Sequence, residues 1–149
     1  MGLFDAIDIA GSGLTAERLR MDVTAENLAN AQTTRTADGG PYQRKQVVLQ
    51  PAGGSSFGSV LTGAIGGVRE AQASNGVQVA GIVEDTTSTR LVYDPSHPDA
   101  NAQGYVAMPN VNPVTEMVDL ISSSRSYEAN VTSMQSAKQM FTKTLELLR

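Results

Sequence analysis

His97 is the single histidine of the chain, and it stands between two carboxylates in the run Asp94-Pro95-Ser96-His97-Pro98-Asp99. An imidazole beside two acids is where a divalent cation or a general base would first be sought. A metal needs a converging ligand cluster, and no further His or Cys supplies one. A proline-flanked Asp/Ser/His run is turn chemistry, so a turn is the expectation here. A serine nucleophile would need His97 as its base, and no nucleophile-elbow motif accompanies it. Glu84-Asp85 are adjacent carboxylates on a loop edge, which are ordinarily solvated rather than paired for acid–base work. Gly53, Gly54, Gly58, Gly63, Gly66 and Gly67 are not followed by Gly-Lys-Ser/Thr and do not form a phosphate loop. No catalytic, cofactor-binding or metal-binding residue is therefore expected, and no small-molecule substrate.

The elements that would hold such residues give the same reading. The chain has 149 residues, 40% of them hydrophobic, with no Trp, three Phe and four Tyr, so a large aromatic core is not expected. The length suits one domain, or a small domain with long helical arms. The net charge of −4 comes without a basic patch, which excludes a general nucleic-acid binder. With no Cys there is neither a disulfide nor a thiolate site, and the chain suits an oxidising space. Asp5 and Asp8 follow Met1-Gly2-Leu3-Phe4 where a signal peptide would place lysines and an unbroken apolar core, so no cleaved signal is expected. Ala6 occupies the position that a myristoylation motif gives to Ser or Thr. No apolar run approaches the length of a membrane span.

The last third carries the strongest pattern. Asn112-Pro113 is a helix start, because Asn caps free N–H groups and Pro in the first turn loses no hydrogen bond. No Gly or Pro follows to Arg149. Met117, Leu120, Ser124, Tyr127, Val131, Met134, Lys138, Phe141, Leu145 and Leu148 recur at alternating steps of three and four, the seam of a coiled coil. Packing explains Tyr127 and Met134 without a cofactor. At about 1.5 Å per residue this helix runs roughly 50 Å, too long for a domain of ordinary width to cover. A second helix is expected over residues 4–30, with Phe4, Ile7, Leu14, Met21, Ala25 and Leu28 on a seam that also includes Gly11 and Arg18. Gly11 and Gly13 mark either weak points or close approach to a neighbour. Asn27 and Asn30 fall where a left-handed cap would end the helix.

Between the helices the chain turns polar and β-rich. Asp38-Gly39-Gly40-Pro41 is a turn, and Tyr42 to Gln50 predicts a strand stopped by Pro51. Residues 52–67, rich in Gly and Ser, predict a flexible segment. Residues 76–84 alternate, with Val77, Val79 and Gly81 on one side and Gln78, Ala80 and Ile82 on the other. Short strands follow at 90–93 and 104–108. The organisation is thus a helix over 1–34, a β-rich middle over 35–111 and a helix over 112–149, an α+β fold in which the terminal helices pair as a coiled coil. Helices of about 27 and 37 residues leave unpaired seam on the longer one. An isolated hairpin of this kind is marginal, so the arms find partners in other subunits, as a ring or an open helical filament.

Several blocks match a known family. Ser12-Gly13-Leu14, Arg20-Met21 and Glu26-Asn27-Leu28-Ala29-Asn30-Ala31-Gln32-Thr33 resemble the N-terminal signature of flagellar rod and hook proteins. Gly76-Val77, Val83-Glu84-Asp85, Tyr93 to Ala100, Gly104 to Pro113 and Ser126-Tyr127-Glu128-Ala129-Asn130 narrow the resemblance to its proximal-rod members. It covers nearly the whole chain apart from residues 52–67. The resemblance implies a structural protein that leaves the cell through the flagellar type III export apparatus without signal cleavage. Its terminal helices would form the inner coiled-coil layer of a drive shaft crossing the periplasm, and its β-rich middle an outer layer. Implied partners are copies of itself, other proximal-rod proteins and the hook–basal-body adaptor at the rod base. The expected assembly interface is Phe4, Ile7, Leu14, Met21, Leu28, Met117, Leu120, Tyr127, Val131, Met134, Phe141, Leu145 and Leu148. The alternatives are a secreted helical adaptor or translocator of a type III export system, and a self-contained hydrolase, which the missing constellation disfavours. Asp5, Asp8, Glu17 and Glu26 argue against a helix lying on a membrane.

Overall fold

The computed structural model describes residues 3–37, 39–53, 76–87 and 89–147, with Leu3 and Phe4 described by their backbone. Helix α1 covers Leu3–Ala29 and helix α2 covers Pro113–Leu147. Between them lie β1 (Lys45–Pro51), β2 (Val77–Glu84), β3 (Arg90–Tyr93) and β4 (Tyr105–Met108). The strands form two separate two-stranded antiparallel sheets, β1–β2 and β3–β4. The fold is α+β, two long helices with a small strand region between them, as the sequence suggests.

Local chemistry explains the helix ends. Asn112 caps α2: its Oδ1 accepts from Val114 N at 3.0 Å and its carbonyl from Glu116 N at 3.0 Å. Pro113 then opens the helix with no donor to waste. At the end of α1 the expected left-handed Asn cap is absent, since no described residue other than Gly has a positive φ. Instead Asn30 Nδ2 donates back to Glu26 O at 2.9 Å, and Thr33 N donates to Asn30 O at 3.0 Å. Side-chain and turn hydrogen bonds satisfy the last carbonyls.

Strand β1 begins at Lys45 rather than Tyr42, and Pro51 is its last residue rather than the one after it. A proline can occupy a strand terminus, where its missing N–H costs no ladder bond. In β1–β2, Val48 pairs with Gly81 but Leu49 pairs with Val79, so Ala80 has no partner. This bulge breaks the expected alternation. Past it, Ile82, opposite Val47, shares a face with Val79, opposite Leu49. In β3–β4, Tyr93 pairs with Tyr105 and their rings meet edge-to-face at 5.3 Å. The loop between them is a turn, as expected: Asp94 accepts from Ser96 N and Oγ, and Asn101 accepts from Gln103 N and Tyr105 N. The expected turn at 38–41 lies partly outside the described residues, at Asp38, and the Gly/Ser-rich segment 52–67 lies outside them from Gly54 onward.

The helices pack antiparallel, with Gly13 against Asn130 and Asn27 against Glu116. The buried line between them is built mainly from small or polar residues: Ala10, Ala16, Thr24 and Asn27 on α1, with Val23 among them, and Glu116, Ser123 and Ala137 on α2. A Cβ at Gly13 would lie 2.9 Å from Asn130 Nδ2, so close approach is the reason for that glycine. Gly11 faces open space. Sheet β1–β2 lies on α1. Ser12 Oγ donates to Ile9 O at 2.7 Å and accepts from Val77 N at 3.0 Å, pinning the start of β2 to the helix. Gly76, at φ 111°, is required there, because a Cβ would collide with Ser12 Oγ. The β3–β4 loop is held to the residues after α1 by Thr34 Oγ1, which donates to Asp99 Oδ2 at 2.7 Å.

Candidate assembly interface

Where α1 ends and α2 begins, a buried polar network joins three segments. Asn27 is 1% exposed and Glu116 2%. Asn27 Nδ2 donates to Lys45 O at 2.8 Å and to Glu116 Oε2 at 3.1 Å. Asn27 Oδ1 accepts from Tyr42 OH and from Lys45 N, each at 2.9 Å. Both donors and both acceptor positions of the amide are thus used. The other oxygen of Glu116 accepts from Arg44 Nε at 2.6 Å, and the Arg44 guanidinium also reaches Asp119 at 3.6 Å. A buried carboxylate is tolerated only when paired and hydrogen-bonded, and here it is both. Lys45 Nζ meets Glu26 at 2.6 Å and sits 5.7 Å from the Tyr42 ring centre. Burial, then the Glu26 carboxylate, pushes the Tyr42 phenol above its ordinary range, while Lys45 pulls the other way. The hydrogen bond to Glu26 raises the Lys45 ammonium.

The network was not legible as such. Its signal is a polar residue, Asn27, one position from the apolar row of α1, and an acid, Glu116, at a helix start where a dipole effect already accounts for it. Tyr42 and Arg44 read as ordinary strand residues.

Of the apolar seam, Ile7, Leu14, Met21 and Leu28 are half-buried on α1 and Leu120, Tyr127, Val131 and Met134 half-buried on α2. Met117, Phe141 and Leu145 are exposed. The Phe4 side chain and Leu148 lie outside the described residues. The line of closest contact runs one residue to the side of the expected seam, through 116, 123, 130 and 137 rather than 117, 124, 131 and 138. Leucine and methionine flank that line, which is held by Ser123 and Ala137 and by the polar Glu116 and Asn130. Two separate patches of α2 remain bare: Val114 at 65%, Val118 at 60% and Ile121 on its first turns, and Met140, Leu145 and Leu147, the last at 88%, on its final turns, with Arg125, Glu128, Thr132 and Gln135 on the exposed helix between them. The antiparallel register carries Gly13–Asn130 ten residues further to Leu3 opposite Met140, so residues 142–147 run past the start of α1.

The chemistry-bearing residues sit apart from this surface. His97 Nδ1 accepts from Asp99 N at 3.1 Å and lies 4.0 Å from Asp99 Oδ2. The hydrogen bonds from Ser96 hold the Asp94 carboxyl below its ordinary range. Among the described residues no cluster of three or more His, Cys, Asp or Glu is placed to hold a metal ion. None of the described helices is long and apolar enough to cross a membrane.

Comparison with known proteins bears on this surface at both ends. Residues 7–35 match the family model described as flagella basal body rod protein. Residues 102–147 match the one described as flagellar basal body rod FlgEFG protein, C-terminal. The two matches fall on α1 with the turn after it, and on β4 with α2. The flagellar basal-body rod protein FlgC of Bacillus subtilis (strain 168) is 51% identical over 151 residues, covering 99% of each chain. That of Borreliella burgdorferi is 45% identical over 159 residues, covering 100% of this chain and 99% of its own. That of Escherichia coli O6:H1 is 46% identical over 147 residues, covering 99% and 98%. With identity of this level sustained from end to end, and family matches on both helices that pack together, the chain belongs to the FlgC family of flagellar basal-body rod proteins.

Proposed function

We propose that this chain is a structural, non-enzymatic subunit of the bacterial flagellar basal-body rod, in its proximal part, and that it polymerises through its terminal helices into the torque-transmitting shaft. The observation that carries the assembly mode is the pair of bare apolar patches at the two ends of α2, Val114, Val118 and Ile121 at one and Met140, Leu145 and Leu147 at the other. A monomeric helix pair gains nothing from keeping these side chains in water. Each large aliphatic side chain buried against a neighbour contributes roughly 1.5–3 kcal/mol, so a few per subunit hold a filament together. The flanking residues Ile7, Leu14, Met21, Leu28, Leu120, Tyr127, Val131 and Met134 complete the contact surface, with Phe4 and Leu148 extending it. The helical arms, 1–34 and 112–149, form the inner layer and the β-rich middle, 35–111, faces outward.

The partners in this reading are further copies of the chain, the other proximal-rod proteins and the adaptor at the rod base. The chain passes through the flagellar export apparatus with its N-terminus uncleaved and works in the periplasmic space. A secreted adaptor of an export system loses support, since the full-length relatives carry the name of rod proteins. Ile121→Asp tests the proposal. At an exposed position it leaves the helical signal of the purified subunit unchanged and shifts its stability by less than about 0.5 kcal/mol. Cells whose only copy carries it fail to swim and build no rod. Normal swimming with Ile121→Asp would remove the patch on the first turns of α2 from the interface.

A further inference from the structure

The buried line between the helices poses a problem of register. On α2 the residues facing α1 are Glu116, Ser123, Asn130 and Ala137, spaced by sevens. Ser123 and Ala137 are small and buried, and they stand one heptad to either side of Asn130, the residue that meets Gly13. Ala16 and Val23 on α1 are likewise buried and seven apart. After one heptad of slip Ser123 or Ala137, both small, would stand where Asn130 meets Gly13, so packing at Gly13 admits either neighbour and the choice of register falls to the larger polar groups of the row. Ser123 Oγ adds nothing to the choice, being buried with no hydrogen-bond partner among the described residues.

We infer that the Asn27–Glu116 contact, with Tyr42, Arg44 and Lys45 around it, is a register lock that selects one alignment of α1 on α2. A slip of one heptad separates Asn27 from Glu116 and strands one buried amide donor and a buried carboxylate, whereas in the observed register both Asn27 donors and both Glu116 oxygens are used. Polar groups buried in this way select an alignment more than they add stability. The lock also ties the helix pair to the sheet, because Asn27 holds both the N–H and the carbonyl of Lys45, the first residue of β1. The selected alignment decides how far α2 runs past α1. It therefore determines how much of the bare patch on the final turns of α2 is presented, whatever covers that patch.

The chain has no cysteine, so paired cysteines report register without interference. The full-length protein carrying Gly13→Cys with Asn130→Cys reports the observed register. Gly13→Cys with Ser123→Cys, or with Ala137→Cys, reports a slip of one heptad in either direction. In the otherwise unchanged chain, mild oxidation cross-links the first pair nearly completely and leaves the other two at background. In the Asn27→Leu/Glu116→Leu background the helical signal persists, the first cross-link falls severalfold, and at least one slipped pair rises to a comparable share. Glu116→Gln, which keeps an acceptor for Asn27, retains the observed register. Exclusive cross-linking of the first pair in the double-leucine background would overturn the inference. Failure of that pair to cross-link in the unchanged chain would do the same. Loss of helix in the double-leucine background would also overturn it, by making the network a source of stability rather than of alignment.

Discussion

The two ends of α2 are built on opposite plans. Its first turns hold Glu116 at 2% exposure, with each carboxylate oxygen assigned to a partner on another segment. Its last turns run beyond α1 and show Leu145 and Leu147 to water. On its α1-facing side the first end is complete within the single chain, although Val114, Val118 and Ile121 stay exposed on its opposite side. The other has a hydrophobic surface without the element that would cover it, and an exposed apolar strip of this kind marks an interaction surface. The contrast teaches that the subunit spends its polar specificity on fixing its own shape and reserves its aliphatic side chains for neighbours.

Substitution at each end sharpens that contrast. Glu116→Ala leaves Arg44 and one Asn27 donor without their acceptor, and removal of one partner of a buried hydrogen-bonded pair costs about 2–3 kcal/mol. Partial exposure of Arg44 keeps the figure at the lower end of the range for buried ion pairs. Leu145→Asp, at the bare end, changes the stability of the free subunit by less than about 0.5 kcal/mol. Urea unfolding of the two purified variants beside the parent measures both. Equal losses at the two ends would erase the distinction.

Titration gives a smaller effect, confined to the enclosed end. The pKa values of Tyr42 and Lys45 are raised above their ordinary 10.0 and 10.5, by burial in the first case and by the hydrogen bond to Glu26 in the second. Groups raised on folding contribute stability that is complete below the unfolded pKa and is lost as pH rises through the folded one. Stability therefore falls as pH rises through the raised pKa values of Tyr42 and Lys45. Tyr42→Phe removes the phenol, so its urea midpoint declines less steeply over the same alkaline range. Parallel alkaline limbs for parent and variant would detach Tyr42 from the network.

Much of this was legible in the sequence, and the misses share a cause. Asn112-Pro113 marks the start of α2, and the heptad spacing gives its length, because both signals are local. The resemblance of Glu26-Asn27-Leu28-Ala29-Asn30 to the rod and hook signature gave the family. The line of contact was displaced by one residue, because apolar periodicity locates the centre of the wide aliphatic arc, at Leu14, Met21, Val131 and Met134. Closest approach follows side-chain size instead, at Gly13, Ala16, Ser123 and Ala137. The Asn27–Glu116 network joins residues 89 apart in the chain, and no local pattern pairs them. The bulge at Ala80 was hidden for the same reason, since only the partner strand reveals an extra residue.

Amide hydrogen exchange, read on the free subunit and on the same chain within isolated rods, tests the central claim most directly. The account predicts slow exchange around Asn27 and Ser123 in both states. Residues 142–147 exchange fast in the free subunit and become protected only in the rod. Protection of residues 142–147 in the free subunit, or fast exchange there within the rod, would contradict an end of α2 left bare for a neighbour.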